Sequence, residues 1–562
     1  MTSGHLSSAY ILFVFVFTQI IIGSIIIKPS LADLEPPEIT NNGTKQTERN
    51  MRISFKEYVL IGIGDSMTHG SMDITLNEIN TKNAYLQKVA ESLGTVAEVS
   101  FSQPFFEIAG NRIAPFAIPT NLGIQTSDIF SLEGKQYYKR ADSNKTSLSG
   151  KLFCNKIFPF RLNTLYDKVL YPINLLARRP MSQMDAAVWL LNQVARTNGN
   201  SKAIVIFWVG NMETGIASIG LGGTNPLFIP LPQDLIRDKL SPALNSVLTT
   251  AEKIGAVSLS PYLYSSIQRN LTDTEDFKVQ LNSVLDRFEN DVSDFYDHSE
   301  LFICTFPYFS SAGYLLHSED IEYYLKKIDP DYTVPSSFKR IVPAGEPIID
   351  YSKGDRVSLF SFLCMYILLS QGSSIEYINQ VLENDAFVMS EQEYELIVSR
   401  IDSLNAEIIE AASSRTSSIH LIDTGKYFND MLSGKSTLTV EGVKFGREWA
   451  RGNSFSFDGV HPGYTSSGFI ANFILQHINE TVGLDAPLFD LKEIMAQDPY
   501  VDHDGDGWMP GPDYSSPGLT ELAFFFKDPD DNNVMIQPEL PPDIWSKISA
   551  TLLEKILSGD MF

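Results

Sequence analysis

Short, continuous apolar runs alternate along this chain with segments of helical period, and this alternation restricts the fold more than any other feature. The runs "EYVLIGIGDS" (57–66) and "KAIVIFWVGN" (202–211) are typical of strands buried on both faces of a parallel sheet. Two later runs, "ELFICTFPYF" (300–309) and "SSIHLIDTGKYF" (417–428), predict further strands. The sequence therefore predicts a parallel sheet.

Amphipathic helices are predicted between these strands. The segment "NAYLQKVAESLG" (83–94) has apolar residues on one helical face and is expected to stop at Gly94. Further helices are predicted at about 183–196, at about 275–296, behind a capping box formed by Ser390 and Glu393, and at about 465–479. Strands that alternate with such helices predict an α/β protein whose sheet is covered by helices on both faces.

Two segments, about 131–180 and about 310–389, do not follow this alternation of strands and helices. They are predicted to be insertions in a domain that spans 53–485. Both are rich in aromatic residues. The second contains "VSLFSFLCMYILL" (357–369), an apolar run that is too short to span a bilayer and is predicted to be a core helix. Residues 486–562 form a predicted C-terminal extension.

The N-terminus has the features of an export signal. Residues 10–27 are almost entirely apolar, and a small-x-small triplet of the kind that signal peptidases cut follows at 30–32. We therefore expect a signal peptide at 1–32 and a polar, flexible leader at 33–52. Because the apolar run is long and no Lys or Arg precedes it, an uncleaved membrane anchor through residues 10–27 stays open as an alternative. In both cases the body is exported, as a periplasmic, secreted or extracytoplasmically anchored protein.

Charge excludes one class of partner. The 68 acidic residues against 43 basic ones leave a net charge of −25, which repels phosphate backbones, so nucleic-acid binding is not expected. Only three cysteines occur, Cys154, Cys304 and Cys364, each in an apolar context. They exclude a disulfide framework and are predicted to be buried free thiols.

A serine, a histidine and an aspartate stand where a nucleophilic site would need them. Ser66 ends the first predicted strand, and ligands of open α/β sheets bind at that edge. Asp458 and His461 stand three residues apart in a Gly-containing loop before the last predicted helix. This spacing allows the carboxylate to bond one ring nitrogen while the other faces the serine hydroxyl, so Ser66, His461 and Asp458 are predicted to form a catalytic triad.

The motifs "GDSMTHG", "WVGN" and "DGVHP" resemble, in order and spacing, the GDSL or SGNH family of esterases and lipases. The resemblance implies a flavodoxin-like three-layer α/β/α core. It also implies hydrolysis of a carboxylic ester through an acyl-serine, without an organic cofactor. Members of the family deacylate lipids, acetylated sugars and small esters, and the aromatic-rich insertions favour a lipidic ester over an acylated small molecule or glycan.

The chain departs from the family pattern in the groups that would bind the oxyanion. The third family block places an asparagine where this chain has Met212, whose thioether cannot donate a hydrogen bond, although Asn211 is adjacent. The second block begins at Asn121 and has Thr126 where the family has glycine. Thr126 still offers a backbone N–H provided that its φ is negative. The expected donors are the N–H groups of Ser66 and Thr126, helped by Asn211.

These departures leave a second class of function open, namely a catalytically degenerate SGNH-fold protein that binds or scaffolds. Reactivity of Ser66 with a fluorophosphonate distinguishes the two, because it requires an activated hydroxyl. His69, close to Ser66, is interpreted as a structural residue of the turn and not as a second base.

The C-terminal extension carries a separate motif, "VDHDGDGWMPGPDY" (501–514). Oxygen ligands at positions 1, 3, 5 and 12 around a glycine at position 6 follow the calcium-loop pattern. The predicted ligands are Asp502, Asp504, Asp506 and Asp513. Pro510 and Pro512 argue against the exit helix of an EF-hand, and the expected role of calcium is structural.

Overall fold

A computed structural model describes the body of the chain: residues 55–108, 110–135, 137, 165–179, 181–197, 201–219, 233–253, 270–341, 352–385, 387–514 and 520–558. The predicted signal or anchor at 1–32, the leader at 33–52 and Cys154 lie outside the described residues.

The centre of the fold is a parallel sheet of five strands. Its strands are β1 (Tyr58–Gly64), β2 (Val99–Ser100), β3 (Lys202–Trp208), β4 (Ser299–Cys304) and β8 (Ile419–Ile422), and they lie in the order β2-β1-β3-β4-β8. This is the order of one common doubly wound fold, in which ligands bind where the direction of winding reverses, here between β1 and β3. The predicted parallel α/β sheet is confirmed.

Helices cover both faces of the sheet, which makes three layers. Alternate residues of β1 and β3 enter two separate apolar clusters, because successive strand side chains point to opposite faces. The cluster on one face contains residues of α6 (Gln183–Thr197), α10 (Thr274–Asp291) and α15 (Glu391–Ser413). The cluster on the other face contains residues of α3 (Tyr85–Val96), α16 (Thr424–Leu432) and α17 (Tyr464–Val482).

The described chain contains further helices besides these six. They are α1 (Ser66–His69), α2 (Glu78–Thr81), α4 (Leu165–Leu170), α5 (Ile173–Ala177), α7 (Asn211–Ile219), α8 (Gln233–Ile236), α9 (Pro242–Lys253), α11 (Phe295–His298), α12 (Ser318–Leu325), α13 (Leu359–Ser370), α14 (Ile375–Asn379), α18 (Leu491–Met495), α19 (Thr520–Phe524) and α20 (Ile544–Ser558).

Several element boundaries differ from the predicted ones: strand 300–309, for example, ends at Cys304, and three other differences have a local cause. Helix α3 runs through Gly94 and ends two residues later, because Gly94 is exposed and tolerates helical backbone at a modest cost. The predicted strand 417–428 is shorter, because the Asp423 side chain accepts the Lys426 N–H and starts helix α16. The predicted helix 275–296 is divided, with Asp294 at a φ of 52° between α10 and α11. The predicted capping box of Ser390 and Glu393 is confirmed at the start of α15.

Two small antiparallel sheets were not predicted. Strands β5 (Leu315–Leu316), β6 (Arg356–Ser358) and β7 (Val388–Met389) form one, and β9 (Leu438–Val440) with β10 (Val443–Phe445) forms the other. Strands of two or three residues are too short to show an alternating pattern in a sequence. No strand of the five-stranded sheet comes from the described parts of 131–180 or 310–389.

Helix α13, in the apolar run 357–369, is a core helix as predicted. All of its residues from Leu359 to Leu369 are buried, Cys364 among them. Cys304 and Cys364 are both free and buried, which confirms the prediction for these two thiols. In the described part of the chain, no helix combines the length and apolarity needed to cross a bilayer.

Two residues of helix α10 differ in burial, which predicts that their substitution changes the free energy of unfolding by different amounts. Leu281 is fully buried, whereas Val279 is 62% exposed on the same helix. Leu281→Ala is expected to lower the free energy of unfolding by about 2–5 kcal/mol, because a cavity remains in the core. Val279→Ala is expected to change it by less than about 0.5 kcal/mol. Urea denaturation followed by circular dichroism measures both, and equal losses would contradict the packing described here.

Candidate active site

The short helix α1 presents Ser66 at the carboxyl end of β1. Asp65 begins this helix, and its Oδ1 accepts the Met67 N–H at 2.9 Å. Gly64 allows the tight turn, since a Cβ at this position would lie 2.2 Å from the Trp208 carbonyl oxygen. Ser66 is therefore the first residue of a helix whose N-terminal N–H groups face the edge of the sheet.

His461 and Asp458 lie beside Ser66 as predicted. His461 Nε2 is 2.9 Å from Ser66 Oγ, and His461 Nδ1 is 2.6 Å from Asp458 Oδ2. Because an ionised carboxylate only accepts hydrogen bonds, the proton of a neutral His461 ring lies on Nδ1, which leaves Nε2 to accept from the serine hydroxyl. All three residues are buried. The structure thus brings the three predicted triad residues into one hydrogen-bonded chain.

Asp458 is satisfied by the backbone as well as by His461. Its Oδ1 accepts the N–H groups of Val460 and His461, both at 2.8 Å, and its Oδ2 accepts the Ile74 N–H at 2.8 Å. The loop closes on itself through the Ser456 N–H and the His461 carbonyl at 2.8 Å. This closure explains why a separation of three residues suffices to align the carboxylate with the ring.

The charges of the pair shift both pKa values in the direction that a base needs. Burial alone would raise the pKa of Asp458, but the charge of His461 and its hydrogen bonds hold that pKa below its usual value. Burial alone would lower the pKa of His461, but the Asp458 carboxylate outweighs it and holds the pKa above 6.5. Two more buried carboxylates, Asp65 and Asp73, act on His461 in the same direction.

Thr126 corrects one expectation about the oxyanion donors. Its φ is +67°, in the left-handed region, where a negative φ was required by the sequence argument. A glycine adopts this conformation without strain, whereas a threonine does so only at a cost. The segment before it lies along the end of β1, with the Ile124 N–H donating to the Gly64 carbonyl at 3.1 Å. Thr126 therefore comes just after a segment that is hydrogen-bonded to the turn carrying Ser66.

Asn211 lies at this edge of the sheet, and Met212 follows it in helix α7. The Asn211 Nδ2 donates to Asp65 Oδ2 at 2.9 Å, so its amide lies next to the residue that precedes Ser66. Burial raises the pKa of Asp65 to about 6, and this hydrogen bond opposes the shift. The Met212 side chain instead lies near Gly215, one helical turn along. Asn211 is thus the residue of this pair that the structure brings close to the predicted nucleophile.

Asp73 is part of the site and was missed by the sequence argument. It is fully buried, and its Oδ2 accepts the hydroxyl groups of Tyr500 at 2.5 Å and Tyr514 at 2.8 Å. Burial and the nearby Asp458 charge raise the pKa of Asp73 to about 7, against the tyrosine bonds. Asp73 and Ile74 have φ values of 54° and 57°, a strained turn that aims the Ile74 N–H at Asp458. Tyr500 and Tyr514 lie more than 400 positions away along the chain, so no local pattern marks Asp73.

His69 and Asn121 hold the loops around Ser66 in place. The His69 ring is fully buried, its Nδ1 lies 2.6 Å from the Gly123 carbonyl oxygen, and burial lowers its pKa to about 4. Asn121 donates to the Thr68 carbonyl at 2.8 Å and accepts the Gly123 N–H at 2.9 Å. These contacts agree with the interpretation of His69 as a structural residue of the turn.

The acidic motif of the C-terminal extension forms two groups of carboxylates. One oxygen each from Asp502, Asp504 and Asp531 lie within 4.8 Å of one another, and the same holds for Asp504, Asp506 and Asp528. Asp528 and Asp531 come from a second loop and were not among the ligands predicted from the sequence. Asp513, a predicted ligand, is exposed and lies outside both groups. The physical reason is that Pro510 and Pro512 prevent the helix that would return position 12 to the loop.

Comparison with known proteins assigns no family. No model of a known protein family matches the chain, and no match was found among curated proteins or among solved structures.

The left-handed backbone of Thr126 predicts how substitution by glycine changes the stability of the protein. Thr126 is exposed, and an L-residue in the left-handed region is strained by roughly 1–2 kcal/mol. Thr126→Gly removes this strain at a chain-entropy cost of roughly 0.5–1 kcal/mol, so we expect unchanged stability or a gain of up to about 1 kcal/mol. Thr95→Gly, at an exposed position of helix α3, is the control and is expected to lose roughly 0.5 kcal/mol. Thermal unfolding compares them, and a loss at both positions would contradict the strain.

Proposed function

We propose that this chain is a serine hydrolase of the SGNH type that hydrolyses carboxylic esters through an acyl-serine. The observation that carries the proposal is the hydrogen-bonded chain from Ser66 through His461 to Asp458, at 2.9 and 2.6 Å. These distances fall in the range at which a nucleophile and its base exchange a proton. The position of Ser66 at the carboxyl edge of a doubly wound sheet supports the same function.

In the proposed reaction, Ser66 Oγ attacks the ester carbonyl carbon while His461 Nε2 takes the hydroxyl proton. The carbonyl oxygen becomes an oxyanion, and the tetrahedral intermediate collapses when His461 gives the proton to the leaving alcohol. Water then attacks the acyl-serine with His461 again as base, which releases the acid and restores Ser66. Asp458 keeps the Nδ1–H tautomer and stabilises the imidazolium through the short bond to Oδ2.

For the oxyanion we propose the backbone N–H of Ser66, with the Asn211 amide as a second donor; Thr126, whose φ is positive, is no longer proposed as a donor. Ser66 contributes the first N–H of helix α1, where the helix leaves its N–H groups without internal partners. Asn211 stands next to the nucleophile turn through its bond to Asp65. A single donor of this kind is worth about 10²- to 10³-fold in rate. A thioether at position 212 therefore does not by itself remove oxyanion stabilisation.

Retention of the whole triad favours catalysis over the degenerate binding protein. A buried carboxylate with four hydrogen bonds and a histidine at 2.9 Å from a serine are costly to maintain without a role for the hydroxyl.

We further propose that the protein is exported, because residues 1–32 have the features of a signal peptide. We also propose that its substrates are lipidic esters, because the two insertions are rich in aromatic residues. An ester series of increasing acyl length tests the substrate class.

Labelling with a fluorophosphonate tests the activated serine. The wild-type protein is expected to be labelled on Ser66, and Ser66→Ala and His461→Ala are expected to lose the label, because the hydroxyl is removed or left without its base. In-gel fluorescence and mass spectrometry of the labelled peptide measure this.

Two variants serve as matched controls for the labelling. Ser414→Ala changes an exposed serine, and His477→Ala changes a half-buried histidine that bonds the Phe473 carbonyl. Both are expected to label at the wild-type rate. A folded wild-type protein that takes no label would refute the hydrolase and leave the binding protein as the function to pursue.

The raised pKa of His461 predicts how activity depends on pH. His461 accepts a proton only when neutral, so activity is lost as the pH falls through a value above 6.5. Asp458, Asp65 and Asp73 face the ring and all favour its charged form. Asp458→Asn removes the largest of these charges and is expected to lower the midpoint and to slow ester hydrolysis by about 10⁴-fold. The measurement is kcat/KM against pH, and a profile that is flat between about pH 5 and 8 would contradict His461 as the base.

A further inference from the structure

The carboxylates of the C-terminal extension belong to two loops that lie side by side. The first loop runs from Asp502 to Trp508, and the second from Asp528 to Asp531. The Asp528 N–H donates to the Met509 carbonyl at 2.8 Å, and the His503 N–H donates to Asp531 Oδ1 at 2.9 Å. The first of these bonds joins the two loops through the backbone and does not depend on the carboxylate charges.

One carboxylate oxygen in this cluster is buried without a partner. Asp528 is 5% exposed, and its Oδ2 has no hydrogen-bond partner among the described residues. Its Oδ1 accepts the Asp530 N–H, so the side chain is fixed with Oδ2 left over. Asp528 is grouped with Asp504 and Asp506 within 4.8 Å, and Asp504 Oδ2 is likewise buried and unpartnered. A buried charged oxygen without a partner is costly unless a cation satisfies it.

In the described chain the carboxylates of the two loops outnumber the cationic groups near them, although the charge of Lys327 acts on Asp502, Asp504, Asp506 and Asp528. Within the ranges that the structure describes, the one ion pair to these carboxylates joins His503 Nε2 and Asp531 Oδ2, at 4.0 Å. The ammonium of Lys327 lies close by but donates to the carbonyl oxygen of Asp506 and not to a carboxylate. Five acidic side chains, in two groups that share Asp504, are therefore only partly compensated by cationic groups of the chain.

The donor set restricts which cation would fit. Every donor in the two groups is a carboxylate oxygen, and neither group includes a cysteine or histidine. Hard oxygen donors from flexible loops suit calcium, which takes six to eight of them, whereas magnesium keeps several waters and is rarely held by an all-protein cage. Softer transition metals prefer nitrogen or sulfur ligands.

We propose that the two loops together bind calcium through the side chains of Asp502, Asp504, Asp506, Asp528 and Asp531. The ion bridges the carboxylates of the two adjoining loops and so joins segments of the extension that the sequence separates. Asp504 belongs to both groups and is the ligand whose loss affects the whole site.

Residues in and next to the two calcium loops contact the segments that hold Asp458 in place. The Asp502 N–H donates to Asn453 Oδ1 at 2.7 Å, and Asn453 precedes Asp458 by five residues. Just before the first loop, Tyr500 donates to Asp73, whose neighbour Ile74 donates to Asp458. Calcium thereby stabilises the segment that positions Asp458. This consequence rests on the proposed function, whereas the calcium site itself does not.

Calorimetric titration with calcium chloride tests the site on the chain after chelator treatment. We expect binding with a dissociation constant below about 1 mM and a higher unfolding temperature in calcium than in EDTA. Asp504→Asn and Asp528→Asn are expected to lose both effects. In EDTA they are expected to unfold no earlier than the wild-type protein, because each removes a repelling charge, so loss of binding is separable from failure to fold.

The matched control is Asp513→Asn, an exposed aspartate of the same motif outside both groups. It is expected to bind calcium and to be stabilised like the wild-type protein. Absence of binding and of thermal stabilisation in the wild-type protein would overturn the proposal. It would also be overturned if Asp513→Asn removed binding while Asp528→Asn did not, or if magnesium at the same concentration stabilised the protein as much as calcium.

The link to the triad has its own measurement. EDTA is expected to slow fluorophosphonate labelling of Ser66 in the wild-type protein and in Asp513→Asn, while Asp504→Asn labels slowly in either condition. Equal rates with and without calcium would refute the link. If Ser66 takes no label under any condition, the proposed hydrolase fails, and the titration and unfolding experiments still decide the calcium site.

Discussion

The geometry of the site depends on keeping one buried carboxylate, that of Asp458, ionised. Three backbone N–H groups and the His461 ring surround it, and a carboxylate in this position would otherwise be too costly to bury. The same four bonds fix the orientation of the ring and thereby the direction of Nε2 towards Ser66. The same hydrogen bonds therefore keep Asp458 ionised and align His461, the proposed base. The loops around the site supply these bonds.

Part of the backbone strain in the described chain lies where this constraint is met. Asp73, Ile74 and Thr126 all adopt a positive φ, which L-residues rarely do. The first two form the turn that donates to Asp458, and Thr126 ends the segment attached to the nucleophile turn. Strain of this kind persists only when the surroundings determine the conformation, and here the buried hydroxyl of Tyr500 fixes Asp73. The C-terminal extension is in this way part of the site.

Much of the fold and of the proposed triad was predictable, because both are encoded in local patterns. Strands β1 and β3 are continuous apolar runs, and the capping box at Ser390 is a four-residue signal. Ser66 follows its strand directly, and Asp458 lies in the same short loop as His461. Predicted boundaries were wrong where a single residue outweighs the hydrophobic pattern of its segment. Asp423 is an example, because its side chain starts helix α16.

The sequence by itself determined the parallel α/β architecture, the three triad candidates and an acidic loop at 502–506. Only the tertiary structure decided that Asp73 joins the extension to Asp458, that Thr126 has a left-handed backbone, and that Asp528 and Asp531, not Asp513, complete the carboxylate groups. The physical reason is the range of the interactions. Periodicity and capping act over a few residues, whereas the bond between Tyr500 and Asp73 spans 427 positions and forms only when the core has closed around it.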